Sequence, residues 1–452
     1  MKWPVGRIDV RRRDGNIDRC KLNLRKDRMP KSLSPEDLPK LLEPGMSVYM
    51  PNCAGESLLF AKVLQENPAA CAGIRFIGVW IPGVNQIDYA ALHDEARATS
   101  FFVTPALRKS FAAGKVDFLP MHYSDITPYL HSIPLDVALL QVSPPDANGQ
   151  CSFGLAADFP PSIIGQAKTL VAHINPNMPA PPGAPTVAFD SLDYVVEEAF
   201  DLVKYDLGAE NDALRAVGAN VASLIRDDDT IQIGIGKIQA TVLEPLTDRK
   251  NLRMHGGMIC DPLMALAASG AMAKTGGERS VIQTGVAVGS QALYDFVADD
   301  PRISFHPATF THDINVLGKI DNLVAINSSI ELDILGQANA EMIKGNQVSA
   351  AGGLVDFLRG ARRSKGGRAV VALVSTTSDG KTSRIVPSLA PGTSVSIARS
   401  DVEYVITENG IADLRGKTLP EKAEQLIEIA AAPQFRDELR AARDKVPALS
   451  RR

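Results

Sequence analysis

Short apolar runs that stop on turn residues recur through the chain: "LDVALLQVSPPDANG" (135–149), "KTLVAHINPN" (168–177), "NLVAINSS" (322–329), "RAVVALVSTT" (368–377) and "VEYVITENG" (402–410). Their Val, Leu, Ile and Ala are continuous rather than alternating, the pattern of strands covered on both faces. Stretches with helical spacing separate them, among them "SLDYVVEEAFDLVKYD" (191–206) and "PEKAEQLIEIAAAPQFRDELRAARDK" (420–445). Alternation of this kind constrains the chain to an α/β architecture with largely parallel sheets.

Part of the pattern occurs twice. "SPEDLPKLLEPGMSVYMPNCAGESLLFAKVL" (34–64) orders helix, turn, strand, small-residue loop and helix, with Ser34 as cap, Pro35 at the first position and Asp37 three residues after the cap. "NVASLIRDDDTIQIGIGKIQATVLEPL" (220–246) repeats that order. Two related open α/β domains are expected, divided near the Pro- and Gly-rich "NPNMPAPPGAP" (175–185), giving 1–185 and 186–452.

The chain's 452 residues are 45% hydrophobic and 22% charged, enough for two or three packed domains. A formal net charge of -4 argues against a nucleic-acid partner, which needs a basic stripe. No run of 18 apolar residues is present and the charged N-terminal stretch has no apolar core, so neither a membrane span nor a signal peptide is expected. Cys20, Cys53, Cys71, Cys151 and Cys260 are scattered and lack C-x-x-C spacing, which fits reduced thiols in a cytoplasm. The seven histidines show no H-x-x-x-H spacing, so no metal is expected; His122 in "MHYSD" and His255 in "RMHGG" stand out as polar residues within candidate loops.

Two loops are suited to anions. "TIQIGIGKIQATV" sets Gly234 and Gly236 between a strand and a helix, where amides and the helix dipole favour negative charge. It is neither G-x-G-x-x-G nor a Walker loop, and a tight strand-to-helix turn fits equally. In "AAGGLVDFLRGARRSKGGRAVVALVSTT", Gly352 and Gly353 precede Arg359, Arg362, Arg363, Lys365 and Arg368, which suits a ligand with several phosphates or a solvated basic turn. The "DDD" at 227–229 reads as a solvated turn and "TENG" at 407–410 as a turn after a strand.

Together, "LDVALLQVSPPDANGQCSFGLAADF", "LVAHINPNMP", "IQIGIGKI", "AINSSIELDILGQANAE", "AAGGLVDFLRGARRSKGG" and "VITENGIADLRGKTLPEKAEQLIEIA" resemble the acetyl-CoA hydrolase/transferase family, most of all its 4-hydroxybutyrate CoA-transferase branch. The resemblance runs from about residue 30 to about 445. It implies two related CoA-transferase-type domains, a homodimer, and coenzyme A moving between carboxylic acids as an acyl-CoA. It also implies CoA-binding loops at Gly234, Ile235, Gly236, Lys237 and Ile238, and at Gly352 and Gly353. This chain departs from the branch's usual glycine at Lys237 and proline at Gln239.

A larger departure lies at 255–262. Where the branch reads like H-S-E-M-I-S-D-G, with the glutamate carrying CoA as a glutamyl thioester, this chain reads "HGGMICDP". Gly257 stands at the glutamate's position and has no side chain to form that intermediate. Three readings follow. An acyl-CoA enzyme without the relay would hydrolyse a thioester, or transfer or cleave the acyl group of a carboxylic or β-keto acid, with Glu56, His122, His255 and Asp261 as candidate acids and bases. An ordinary CoA-transferase would recruit another carboxylate, from Asp261, Glu56 or Glu408. A non-catalytic acyl-CoA-binding protein would keep the loops alone.

Overall fold

The computed structural model describes residues 29–277 and 279–449; Cys20 and the charged N-terminal stretch lie outside them. Two eight-stranded sheets organise the chain. The first holds β1 (Lys31–Ser32), β2 (Ser47–Met50), β3 (Arg75–Gly78), β4 (Arg97–Ser100), β5 (Val116–Phe118), β6 (Leu135–Val142), β7 (Ala167–Ile174) and β8 (Tyr194–Glu197). Its spatial order is β1-β8-β7-β6-β2-β3-β4-β5, and every pairing is parallel.

The second sheet holds β9 (Thr230–Ile233), β10 (Arg253–His255), β11 (Ile282–Thr284), β12 (Ile303–Phe305), β13 (Leu323–Ser328), β14 (Arg368–Ala372), β15 (Tyr404–Thr407) and β16 (Gly410–Asp413). The order is β12-β11-β10-β9-β13-β14-β15-β16, parallel except for the terminal β15–β16 hairpin. That hairpin turns at Glu408 and Asn409, as the "TENG" reading expects.

Both sheets are wound alike. From a central strand, β2 or β9, the chain lays three strands to one side (β3–β5 or β10–β12), then returns and lays three to the other (β6–β8 or β13–β15); β1 and β16 each add an outermost strand on that second side. The repeated start at 34–64 and 220–246 is thus the start of one winding used twice. Central strands are buried on both faces, as continuous apolar runs require: every residue of β9 and β14 is buried.

One element differs from expectation. The stretch 191–206 is not a helix: Tyr194–Glu197 is a strand, paired with β7 from Tyr194↔Val171 to Glu197↔Ile174, and no helix or strand is assigned over 198–211. Val195 and Val196 suit either state, and the open edge of β7 offers ladder hydrogen bonds that an isolated helix lacks. A division at 185 therefore precedes the last strand of the first sheet; the crossing between sheets is made by 198–211.

The two halves meet at the carboxyl ends of their strands. Tyr123 N–H donates to the Gly352 carbonyl at 3.0 Å, Ala308 N–H to Asp158 at 2.7 Å and Ala157 N–H to Gly285 at 2.9 Å. Met258, Cys260, Val286, Val288, Ala308 and Ala350 of the second half pack into a core built mainly by the first. The β9 strand, flanked by β10 and β13, is where the winding reverses, and such switch points leave a crevice at the carboxyl edge.

At the opposite end of the second sheet, Asp229 is buried and ion-paired with Arg368, which also donates to the Leu224 carbonyl at 2.6 Å. The aspartate run is thus not wholly solvated. Removing one partner of a buried pair leaves an uncompensated charge, a loss of about 3–5 kcal/mol. Arg368→Met is expected to lower the urea-unfolding midpoint accordingly; an unchanged midpoint contradicts the structural role given to the pair.

Candidate active site

A cavity of about 270 Å³ occupies that crevice between the halves. The second half supplies the chain ends after β9 and β13, the Gly257–Met258 segment and residues 349–354; the first half supplies Ile81, Phe102 and Tyr123. Gln232 and Asn327 form its polar floor, where the Asn327 amide donates to the Gln232 side-chain oxygen at 2.9 Å. Ser329 lines the cavity too, and its buried hydroxyl has no protein partner.

Of the loop residues nominated from sequence, Gly234 and Ile235 face this space. The Gly234 N–H is already bonded to the Ile326 carbonyl at 2.8 Å, and a Cβ there would come within 2.9 Å of the Asn327 side-chain oxygen. Lys237 turns away, its Nζ donating to the Ala209 carbonyl at 3.3 Å, and Ile238 is packed in the core. Gly236 has a φ of +112° but does not line the cavity.

Gly352 and Gly353 both line it. Gly352 has a φ of +53°, and a Cβ there would meet the Phe102 ring at 2.7 Å, so glycine is required twice over. Gly353 caps the helix Leu354–Arg363, whose N-terminus faces the cavity. First-turn amides without intrahelical acceptors and the helix dipole make this end suited to negative charge. The basic residues further along point elsewhere. Arg359 and Arg362 bond Asp401, and Arg368 is held by Asp229, so these three are not free for phosphates.

The nominated acids and bases do not reach the cavity. Glu56 is buried, accepting from Asn85 Nδ2 and Tyr89 Oη, each at 2.9 Å. Asp261 is turned to the Gly289–Ser290 turn, where it accepts from the Ser290 amide at 3.1 Å and from its hydroxyl. Glu408 accepts from the Ser375 amide at 2.8 Å. His122 lies at the N-terminus of the helix Tyr123–Ser132, against a neighbouring surface hollow with Asp356 and Arg359.

His255 is buried with Nε2 3.1 Å from the Thr311 carbonyl and Nδ1 2.9 Å from Gln283 Oε1. Burial pushes it down to about 4, so the ring is neutral and carries one proton between two acceptor oxygens; placed on Nε2, that proton is donated to the Thr311 carbonyl. Its work is to hold the turn at 308–312.

That turn delivers the residue that sequence reasoning passed over. His312 lines the cavity, its ring between Tyr123 and Phe357 with centroids 4.3 and 4.6 Å away. A Cβ at Gly257 would lie 3.0 Å from its Nε2, and one at Gly353 would lie 2.5 Å from the same atom. The imidazole edge therefore fills the place where a side chain at 257 would begin. Behind it, buried Asp158 accepts from Tyr123 Oη at 2.7 Å and Asn52 Nδ2 at 2.8 Å, fixing the tyrosine on which the ring rests. Nothing in the local sequence around His312 signals this; its significance comes from the glycines opposite.

Burial pushes the Glu56 carboxyl up to about 7, against the hydrogen bonds from Asn85 and Tyr89 that pull it down. The unfolded chain releases this proton near 4.5 and the folded protein near 7, so stability falls as pH rises through that interval. The full difference is roughly 3 kcal/mol. In Glu56→Gln the fall of the urea midpoint between those two values is expected to flatten; an unaltered slope contradicts a neutral buried Glu56.

The chain matches the acetyl-CoA hydrolase/transferase N-terminal domain over residues 16–204 and the C-terminal domain of the same family over 289–443. The 4-hydroxybutyrate coenzyme A transferase of Clostridium kluyveri is 36% identical over 397 residues, 87% of this chain and 92% of that one. Among solved structures, RipA from Yersinia pestis superposes with a TM-score of 0.84 at 27% identity, covering 92% of this chain and 97% of that one. The 4-hydroxybutyrate CoA-transferase from Porphyromonas gingivalis gives 0.75 at 31% identity over 91% and 96%. By its sequence and its architecture, this chain belongs to the acetyl-CoA hydrolase/transferase family.

Proposed function

We propose that the protein releases acyl groups from coenzyme A thioesters without forming a glutamyl-CoA intermediate, with water as the acyl acceptor. The observation that carries this reading is the composition of the cavity wall. Among the described residues lining it there is no Asp, Glu, Lys or Arg, and the titratable groups are Tyr123 and His312. Family membership supports acyl-CoA as the substrate; the side-chain-free position 257 argues against the covalent relay.

The uncharged wall also selects the acyl group and the acceptor. An ionised carboxylate brought into such a space costs several kcal/mol wherever no donor meets it, and the helix N-terminus at Gly353, the end suited to negative charge, is needed by the thioester oxygen. Acyl-CoAs with neutral aliphatic or aromatic tails therefore suit it better than succinyl- or glutaryl-CoA, and water suits it better than a carboxylate acceptor. A transferase using Glu56, Asp261 or Glu408 would have to detach that carboxylate from partners it already holds and carry it into the cavity, and a displacement of about 1 Å alone can cost a hundredfold.

Two measurements separate these readings. Incubation with acyl-CoA, trapping with borohydride or hydroxylamine, and peptide mass spectrometry are expected to find no modified Asp or Glu; a modified Glu56, Asp261 or Glu408 establishes the transferase instead. In a thiol-release assay, benzoyl- or isobutyryl-CoA is expected to exceed succinyl-CoA in kcat/KM by about 100-fold. Tight binding of CoA with no thiol release from any acyl-CoA leaves the non-catalytic binder as the correct description.

A further inference from the structure

We propose that His312 is a catalytic residue whose Nε2–H, set in the space vacated at Gly257, donates to the thioester carbonyl oxygen and to the oxyanion that forms from it. This deepens the function proposed above and rests on it for the identity of the ligand. The geometry has three independent parts. Nε2 lies at the meeting point of two glycines, Gly257 and Gly353, each of which would collide with it if it carried a Cβ. The ring is clamped between Tyr123 and Phe357, and Tyr123 is in turn fixed by Asp158, so Nε2 is pre-aimed.

The third part sets the tautomer. Nδ1 is 2.9 Å from the Thr311 hydroxyl. Among the described residues that hydroxyl has no other side-chain partner, and donation to Nδ1 is the arrangement that uses its proton; we assign this tautomer, in which the ring's own proton sits on Nε2, facing the cavity. Burial, and to a lesser degree neighbouring His255, push His312 down to about 3, so the ring stays neutral across the working range. A neutral imidazole beside a helix N-terminus polarises a carbonyl as a donor and does not take a proton as a base.

Water oxygen bonds the thioester carbon, and the carbonyl π pair moves to oxygen, where Nε2–H and the N-terminal amides of the helix Leu354–Arg363 hold it. Collapse re-forms the carbonyl, breaks the carbon–sulfur bond and releases CoA thiolate, which takes a proton lost by the water. The products are the free acid and the CoA thiol. His312 neither gains nor loses a proton overall.

Three variants and one spectrum test this. His312→Phe keeps a ring between Tyr123 and Phe357 but has no donor, His312→Ala removes both, and His312→Gln restores an amide donor. Losing one oxyanion donor lowers kcat by about 10²–10³-fold. The Phe and Ala variants are expected to lose that much kcat while KM changes by less than about threefold, and Gln to regain at least about tenfold. Wild-type kcat should show no limb between about pH 5 and 8 from this residue.

His312→Phe with near wild-type kcat overturns the assignment, as does a limb in that range that vanishes in His312→Gln, which would mark a base. Independently of turnover, ¹⁵N-histidine NMR of the full chain should show an Nε2–H resonance, absent in His312→Gln, that shifts downfield on adding a ketone analogue in which CH₂ replaces the thioester sulfur. Absence of thiol release in wild type together with that shift sinks the hydrolase reading but retains the donor; an Nδ1–H tautomer, or no shift with the analogue bound, sinks the donor itself.

Discussion

Everything in this site depends on the seating of one imidazole against two backbones that carry no side chain. The His312 ring can stand where it does because residues 257 and 353 are both glycine; a methyl at either would overlap it. In a close-packed interior such overlap is relieved only by moving backbone or ring, at a cost of about 1–3 kcal/mol. The absence of side chains at 257 and 353 and the seating of the histidine are therefore one structural fact. The place where a side chain at 257 would begin is taken by a neutral nitrogen delivered from 55 residues away in the chain, two strands across the sheet.

The fold explains why that exchange is local. A single winding, used twice, brings two sets of strand ends face to face, and the seam is pinned by backbone hydrogen bonds such as Tyr123 to Gly352. The same peptide group that closes the seam is part of the glycine turn that opens the cavity, so the halves cannot separate without deforming the site. His255, by holding the Thr311 carbonyl, ties the turn that carries His312 to β10. A residue singled out from sequence as a candidate acid or base thus acts one step removed, as a positioning residue.

Much of the architecture was legible because strands buried on both faces leave continuous apolar runs, and because Gly, Pro and Asn mark where they stop. The stretch 191–206 misled: its apolar positions fit a helical face, and only the free edge of β7, invisible in one dimension, decides for a strand. The paired glycines were legible as close approaches, Gly352 to Phe102 and Gly257 to His312. The charges were not. Arg368 meets Asp229, 139 residues away, and Arg359 and Arg362 meet Asp401, so a run that reads as a phosphate cradle is largely structural. His312 left no signal, since what distinguishes it is the emptiness of two positions remote in sequence.

The most direct measurement is a crystal structure with a bound acyl-CoA ketone analogue. The account predicts the carbonyl oxygen about 2.7–3.1 Å from His312 Nε2 and from an amide at the start of the helix Leu354–Arg363. A carbonyl turned toward Glu56 or Asp261, with His312 swung out of the space beside Gly257, would contradict it.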